Sequence, residues 1–439
     1  MKKLIELLKR EKLYGWKIII IKKHRANLHY TKNYEEETYL EGKRKDVEVT
    51  IYVDYGKEIG ENTFPITSDD DEHMKELIKD AIYACSFTKK QKYELLAKKE
   101  KRKKVPLVDK QIKYAIEKGN GREILQNTAN QVFKEFRKEK EIKLNGMELI
   151  ASIVEIEILT SKNIHINSQR TDFYIDAVIT SFNENQEQEF LGVKILSKIK
   201  DFDSRSFVKR YCQYARDILI AQAPKCFEGN VLLKEDALND FFVPFPPPTP
   251  LAFHSNARIK YMKMSKYKIG DYITQNPPKG DLLTIVSNPG LAYNPASSEC
   301  DFDAIASKKI MIIEKSKVKN FYGDLRHSQY IGIKPTGSIG VIEVSPGKIP
   351  QKALGKKDHC EVVAFSWFNP DELSGNFSAE IRLGYIVKGN KRVPFKGGTF
   401  TGNIFKLFEE VYLSKEIEVV RGYKGPKAIL FKDATVSGE

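Results

Sequence analysis

The sequence predicts an α+β protein of two domains, a mixed α/β N-terminal domain over residues 1–225 and a strand-rich C-terminal domain over residues 226–439. The first observation is length, since 439 residues exceed what one ordinary hydrophobic core accommodates. The second is a change of pattern: helical and alternating apolar spacings mix up to about residue 225, and short β-like runs between glycine turns dominate afterwards. A composition of 41% hydrophobic and 30% charged residues excludes a disordered or low-complexity chain.

The start of the chain predicts a short amphipathic helix over residues 1–10, followed by strands at 17–23 and 36–40. Apolar residues then alternate strictly over 47–53, which predicts a strand with one buried face, paired with 62–66 across a glycine turn. The acidic run at 68–72 supplies an N-cap and first turn for a helix that continues through about residue 82.

Residues 89–104 carry nine Lys or Arg against two Glu, and Pro106 follows. We interpret this segment as a basic, solvated helical linker at about 89–106. Nucleic-acid binding is the alternative, but no repeated alternation of aromatic and basic residues and no recognised nucleic-acid fold accompany the charge. The net charge of +14 is compatible with anionic partners and equally with a soluble, lysine-rich surface.

Helices are predicted at 110–118 and 121–138, with Gly119-Asn-Gly121 as a helix C-cap between them. Three β-rich runs at 147–159, 165–181 and 189–196 precede a helix from Asp203 to about residue 223. Its spacing predicts one apolar face made of Phe207, Tyr211, Tyr214, Ala215 and Ile218. The proline-rich stretch 243–250 predicts an extended segment, and one late helix is expected at 403–412 within the strand-rich remainder.

The chemistry-bearing residues form no complete catalytic motif. None of the seven histidines is followed by glutamate, so the helical zinc-peptidase motif is absent from the sequence. Asp358-His359-Cys360-Glu361 offers a Cys–His pair, yet neighbouring residues of a strand point to opposite faces, which favours an ordinary structural role. The five cysteines are widely spaced and lack a C-x-x-C pair, and no apolar run is long enough to span a bilayer. We therefore expect a reduced, cytoplasmic protein.

Several segments in order resemble the TldD/PmbA family, also known as modulators of DNA gyrase and regarded as a metallopeptidase system. The segment 47–57 with Asn62-Thr-Phe-Pro-Ile66 is similar to the family's first strand pair, and His165-Ile-Asn-Ser168 to a strand in its middle part. The most specific likeness is C-terminal: Gly375-Asn-Phe-Ser378, then 382–392, Pro394, and Thr401-Gly-Asn-Ile-Phe405.

The resemblance also distinguishes the two kinds of subunit in this family. TldD-type subunits carry H-E-x-x-x-H on a helix and a cysteine ligand near the C-terminus. Here the corresponding helix, about 234–242, has Asp236, Asn239 and Asp240 but no histidine, and the tail at 420–426 has no cysteine. The chain is therefore similar to the PmbA (TldE) type, which lacks the zinc motif.

This likeness implies a barrel-like C-terminal domain and a role in proteolysis as a non-catalytic subunit. It implies pairing with a TldD-type subunit that holds the zinc, with no metal or cofactor in this chain, and a homodimer when the chain is alone. Unfolded peptides are the implied substrate, and neither nucleic acid nor membrane is an expected partner. The residues expected to face substrate or cavity are His254, Asn376, Phe377, Ser378 and Arg382.

Two alternatives stay open at this point. The first is a nucleic-acid-associated protein that binds through the basic segment, with steep salt dependence. The second is an autonomous hydrolase that uses Cys360 and His359, for which the sequence supplies no third, orienting group.

Overall fold

Three β-sheets form the framework of the protein, which is a computed structural model that describes residues 1–68, 70–243, 248–337 and 339–438. The first half contains α1 Lys2–Arg10, β1 Gly15–Thr31, β2 Glu36–Asp54, β3 Glu58–Pro65, α2 Asp71–Cys85, β4 Lys90–Gln91, α3 Lys110–Glu117, α4 Gly121–Phe136, β5 Ile142–Thr160, β6 His165–Phe182, β7 Glu187–Leu196 and α5 Ser204–Ile220.

The second half is built mainly of strands with short helices between them. Its elements are β8 Phe227–Lys234, α6 Glu235–Phe242, α7 Pro250–His254, α8 Ala257–Tyr261, β9 Ile285–Asn288, β10 Ile310–Glu314, β11 Lys317–Val318, α9 Leu325–Tyr330, β12 Val341–Val344, α10 Gln351–Leu354, β13 His359–Phe368, β14 Asn376–Lys388, β15 Lys391–Phe395, β16 Thr399–Asn403, α11 Ile404–Leu407, β17 Val411–Leu413, β18 Ile417–Val420, β19 Tyr423–Pro426 and β20 Ala428–Ser437. This distribution confirms the predicted α+β class.

The first half folds around a seven-stranded sheet in the order β4-β3-β2-β1-β5-β6-β7. All pairings in it are antiparallel, and the pairing of Val49 with Phe64 confirms the predicted hairpin partner of 47–53. The strands predicted separately at 36–40 and 47–53 are one continuous strand, β2, because β1 pairs with it over its whole length. Asp70 caps α2 and Asp203 caps α5, each through its side-chain oxygen.

The second half contains a closed five-stranded barrel, as the family resemblance implies. Strands follow the order β13-β8-β20-β16-β14, and β14 pairs back with β13 to close the ring. A second, six-stranded sheet has the order β11-β10-β9-β12-β19-β18. Closure removes free strand edges from the barrel, whereas β18 remains an edge of the second sheet.

Helix α5 joins the two halves because it packs on β6 and β7 on one side and on β14 and β15 on the other. Its apolar face carries the predicted residues Phe207, Tyr211, Tyr214, Ala215 and Ile218, all buried in one cluster that also includes barrel residues such as Leu383. The Tyr385 hydroxyl donates a hydrogen bond to Asp217 Oδ2 of α5 at 2.6 Å. The core is therefore continuous from the first sheet into the barrel.

Two predicted elements are wrong in kind or length. The basic segment 89–106 is not a helix: it holds only the two-residue strand β4 and otherwise runs extended between the two halves. Tertiary contacts explain this, since Lys99 donates to the His165 carbonyl and Arg102 pairs with Glu299. The late helix is a single turn, α11, because the chain then enters β17, which pairs with β20.

The proline-rich prediction falls mostly on residues 244–247, which lie outside the described residues. Among the residues that the structure describes, no helix has the length and apolar character needed to cross a bilayer.

Candidate functional site

The largest cavity described in the protein lies where the first sheet, α5 and α6 meet the barrel and the second sheet. Its volume is about 720 Å³. The wall contains residues of β7, the first turns of α5, the polar face of α6, the middle of β13 and the end of β18. Both halves of the chain therefore contribute to one cavity.

Helix α6 is fixed against α5 by a buried tyrosine. The Tyr211 hydroxyl lies 3.0 Å from Asp236 Oδ2 and 3.3 Å from the Val193 carbonyl oxygen. Burial raises the pKa of Tyr211 well above its ordinary value, and the nearby Asp236 carboxylate adds to this effect. Gly192 of β7 makes the contact possible, because a Cβ there would lie 2.5 Å from the Tyr211 ring.

The polar face of α6 brings carboxyl groups into the cavity that hold a proton near neutral pH. Burial raises the pKa of Asp240 to about 7, with a further contribution from Asp236. Burial likewise raises the pKa of Glu418, on β18, to about 7, although Arg210 and Lys194 oppose it. These two carboxyl groups can therefore donate or accept a hydrogen bond within the physiological pH range.

The first residue of α6, Glu235, has a strained backbone, with φ at 55°. This left-handed conformation is uncommon for a residue with a side chain and costs on the order of 1–3 kcal/mol. Glu235 Oε2 lies 3.8 Å from Arg210 Nε, and burial raises the pKa of Glu235 while Arg210 opposes the increase. The turn from β8 into α6 thus places a carboxylate beside an arginine at the cavity wall.

The residues of this cavity do not fit a zinc centre. Zinc sites in peptidases use imidazole or thiolate ligands, and the described lining contains neither histidine nor cysteine. Asp236 is engaged by Tyr211, and Asp240 favours its protonated form over much of the pH range in which a metal ligand must be ionised. Across the described residues, no group of three or more His, Cys, Asp and Glu side chains is arranged to hold a metal ion.

Of the residues predicted to face substrate, the structure places only Arg382 in this cavity. Arg382 donates a hydrogen bond to the Glu189 carbonyl of β7, and so links the barrel to the edge of the first sheet. Asn376 and Ser378 are exposed farther along β14, and Phe377 is buried in the barrel core. The turn and strand motif at 375–378 therefore stabilises the barrel: Asn403 Nδ2 donates a hydrogen bond to Asn376 Oδ1 at 2.9 Å, across the pairing of β14 with β16.

His254 lies apart from the cavity, at the end of α7. It is buried, and its Nε2 is 2.8 Å from the Leu373 carbonyl oxygen. The rings of Phe253, Tyr267 and Phe405 surround it. Burial lowers the pKa of His254, so its environment is that of a neutral structural histidine.

The Cys–His pair lies on β13, with Cys360 in the barrel core and His359 on the opposite face of the strand, beside Gly355. Cys360 is fully buried, and burial raises the pKa of its thiol, which disfavours the thiolate needed for nucleophilic attack. His359 is buried as well, with Nδ1 2.8 Å from the Lys357 carbonyl oxygen. The neighbouring Glu361 bonds Arg392 at 2.7 Å, which makes this part of the chain a buried ion-pair network.

Sequence reasoning identified α6 and Arg382 but missed the other cavity residues. The apolar spacing of α5 correctly predicts that the Tyr211 ring is buried, but it gives no indication that the hydroxyl contacts Asp236 at the cavity. Glu418 and the edge strands β7 and β18 carry no motif. The only signal in the sequence is the carboxylate of Glu418 among the three apolar residues of β18.

Residues 251–438 match the PmbA/TldA metallopeptidase C-terminal domain, so this part of the chain is metallopeptidase-related in sequence. The match supports the resemblance of the chain to the TldD/PmbA family. A relative from Methanocaldococcus jannaschii, an uncharacterized protein, is 28% identical over 224 residues, which is 48% of this chain and 51% of that protein. The chain thus spans about half the length of the curated relative that it matches.

Solved structures share the fold over the whole chain. TldE from Thermococcus kodakarensis has a TM-score of 0.80 with 18% identity, covering 99% of this chain and 100% of that one. A candidate modulator of DNA gyrase from Thermotoga maritima has a TM-score of 0.81 with 16% identity, covering 99% of both chains. A similar candidate modulator from Bacteroides thetaiotaomicron has a TM-score of 0.82 with 14% identity, covering 100% of this chain and 98% of that one.

Proposed function

We propose that this chain is a TldE-type, non-catalytic subunit of a two-component TldD/TldE-type peptidase, and that its large cavity binds part of an unfolded peptide. The observation that carries the proposal is α6. The family resemblance places the zinc motif on this helix in TldD-type subunits, and here the helix presents Asp236, Asn239 and Asp240 to the cavity. The catalytic metal ion would then have to be bound by a partner subunit.

The cavity is bounded by two strand edges that suit an extended peptide. Strand β7 is the last strand of the first sheet and β18 is the last strand of the second. Residues of an antiparallel strand direct their backbone groups alternately to either side. In β7, the Val193 carbonyl accepts from Tyr211 and the Glu189 carbonyl accepts from Arg382, so the backbone groups of these residues point away from β6. Leu191 lies midway between them, and by the same alternation its backbone groups point in that direction too. Backbone groups at such an edge can pair with an added strand.

The side chains around these edges can bind an unfolded substrate without selecting one sequence. Leu191 is 52% exposed and Val419 is 54% exposed, and both line the cavity. Arg210, Arg382 and Arg421 add guanidinium groups that can donate to carbonyl or carboxylate oxygens. Apolar contacts and backbone pairing together favour an extended chain without requiring one particular sequence.

The proposal is tested by mixing this chain with a TldD-type protein that carries H-E-x-x-x-H. We expect one heteromeric species by light scattering, and hydrolysis of an unfolded polypeptide that neither chain achieves alone. Separate species, or a TldD-type protein that is equally active without this chain, would contradict the assignment.

A pair of variants tests the role of the β7 edge within that assembly. Leu191→Pro removes the outward N–H, whereas Leu191→Ala removes only the side chain and serves as the matched control. We expect L191P to lower hydrolysis more than L191A while the mass of the assembly is unchanged. Equal effects of the two variants would exclude backbone pairing at this edge.

A further inference from the structure

A second groove lies on the other side of the first sheet, between the basic segment and the free edge of β6. Its volume is about 570 Å³. One wall is formed by Lys99, Lys101, Arg102 and Lys104, and the other contains Asn167 and Gln169 of β6. It shares no lining residue with the large cavity.

The positive charge of this groove is only partly neutralised by its own acids. Glu100 already accepts from the Ala306 N–H at 2.9 Å and pairs with Lys308. Glu299 is engaged by Arg102 and by the Val105 N–H. Within the described residues, no carboxylate lies within 4 Å of the ammonium groups of Lys101 or Lys104, both of which are exposed.

The floor of the groove is an unpaired strand edge. Strand β7 pairs with β6 only from Phe173 onward, so the first half of β6 has one free side. The His165 carbonyl accepts from Lys99 on that side, and the Thr171 N–H donates there to the Leu107 carbonyl. Asn167 and Gln169 lie between His165 and Thr171 in sequence. Because backbone groups alternate in direction along an antiparallel strand, the N–H and C=O groups of Asn167 and Gln169 also point into the groove.

An apolar depression of about 160 Å³ continues from the groove. It is lined by Ile156, Ile158 and Phe302, among others, and Phe302 is 51% exposed. Side chains of an added strand alternate between two faces, so one set could reach the lysines while the other enters an apolar pocket.

We infer that this groove binds an extended acidic polypeptide segment that alternates acidic and apolar residues and adds to the free edge of β6. The backbone donors and acceptors of the edge match a polypeptide. A single-stranded nucleic acid would gain less, because the described lining of the groove beside the lysines has no aromatic ring, and Phe302 in the adjoining depression is a single ring that could stack with one base only. Because the groove shares no lining residue with the cavity proposed to bind substrate, we assign the acidic segment to a partner protein, and the inference stands independently of the proposed function.

The test measures fluorescence anisotropy of a short labelled peptide of alternating Glu and Leu with the full-length chain at moderate salt. We expect the double variant Lys101→Ser/Lys104→Ser to weaken binding roughly fivefold, as expected for the loss of two exposed ion pairs. The control Lys388→Ser/Lys391→Ser removes the same charge from an exposed hairpin and should leave binding within about twofold. Thermal unfolding of both variants checks that the fold is unchanged.

Two further probes separate edge pairing from simple charge attraction. A peptide of the same sequence with alternate backbone nitrogens methylated should bind more weakly, since it keeps its charge but loses the donors that pair with the edge. An oligothymidylate should bind more weakly than the acidic peptide. The inference is overturned if the acidic peptide fails to bind, if both double variants lose binding equally, if methylation has no effect, or if the oligonucleotide binds as tightly.

Discussion

Replacing Asp240 by asparagine changes one partly buried carboxyl group of the large cavity into a neutral group of the same shape. The folded protein holds this carboxyl with a pKa of about 7, compared with 3.8 for an exposed aspartate. The native state therefore binds the proton more tightly than the unfolded chain does. By linkage, the contribution of Asp240 to the free energy of unfolding falls as pH rises from about 4 to about 7, and then levels off.

The magnitude follows from that difference in pKa. At 1.36 kcal/mol per unit, the change from 3.8 to about 7 sets an upper bound of about 4 kcal/mol on the cost of ionising Asp240 in the folded state. Asp240 is only partly buried, so water screens some of this cost, and we expect Asp240→Asn to stabilise the protein by about 2 kcal/mol at pH 8. At pH 5 the native carboxyl is still protonated, and the gain should be below about 1 kcal/mol.

The assay is urea denaturation of the natural chain and of Asp240→Asn at intervals between pH 5 and pH 8. Glu184→Gln is the matched control, because Glu184 is exposed in the turn between β6 and β7. The control should change stability by less than about 0.5 kcal/mol at every pH. If D240N destabilises the protein at pH 8, or if its effect does not vary with pH, the carboxyl is not a buried, protonated group of the cavity wall.

Two other predictions concern packing and thiol chemistry. Gly192→Ala should destabilise the fold by about 1–3 kcal/mol, because the added Cβ would lie 2.5 Å from the ring of Tyr211. The control is Gly42→Ala, since no atom lies within 4 Å of the Cβ added there. Thermal unfolding measures both variants, and similar melting temperatures would contradict the packing argument. In the native protein, Cys226 is exposed and should react with a thiol reagent well before the fully buried Cys360; a mass-spectrometric time course that finds Cys360 labelled first would show that the barrel interior is accessible.

Local sequence signals predicted those elements whose causes are local. Asp203 caps α5, and the apolar face of that helix is the one that its spacing indicated. The alternation at 47–53 gave a strand with the expected partner. In each case the capping side chain or the apolar period acts within a few residues, so it can be recognised without knowledge of the fold.

The basic segment shows where local reasoning ends. Its lysines and glutamates suit an exposed helix, yet the segment is not helical. Lys99 donates to a carbonyl of the first half, Arg102 donates to the Glu299 carboxylate of the second half, and Glu100 accepts from the Ala306 N–H. These contacts join residues far apart in sequence, and their free energy outweighs a weak intrinsic preference for helix.

The sequence by itself determined the resemblance to the family, the strands and helices whose caps or apolar spacing are local, and the absence of histidine from residues 234–242. Only the tertiary structure decided that helix α6 faces a cavity, that Glu418 and Asp240 share it, and that Asn376 and Phe377 do not. The physical reason is that burial and strand edges arise when distant segments meet. A carboxyl group acquires a pKa near 7, and a strand acquires a free edge, from what surrounds it and not from its neighbours along the chain.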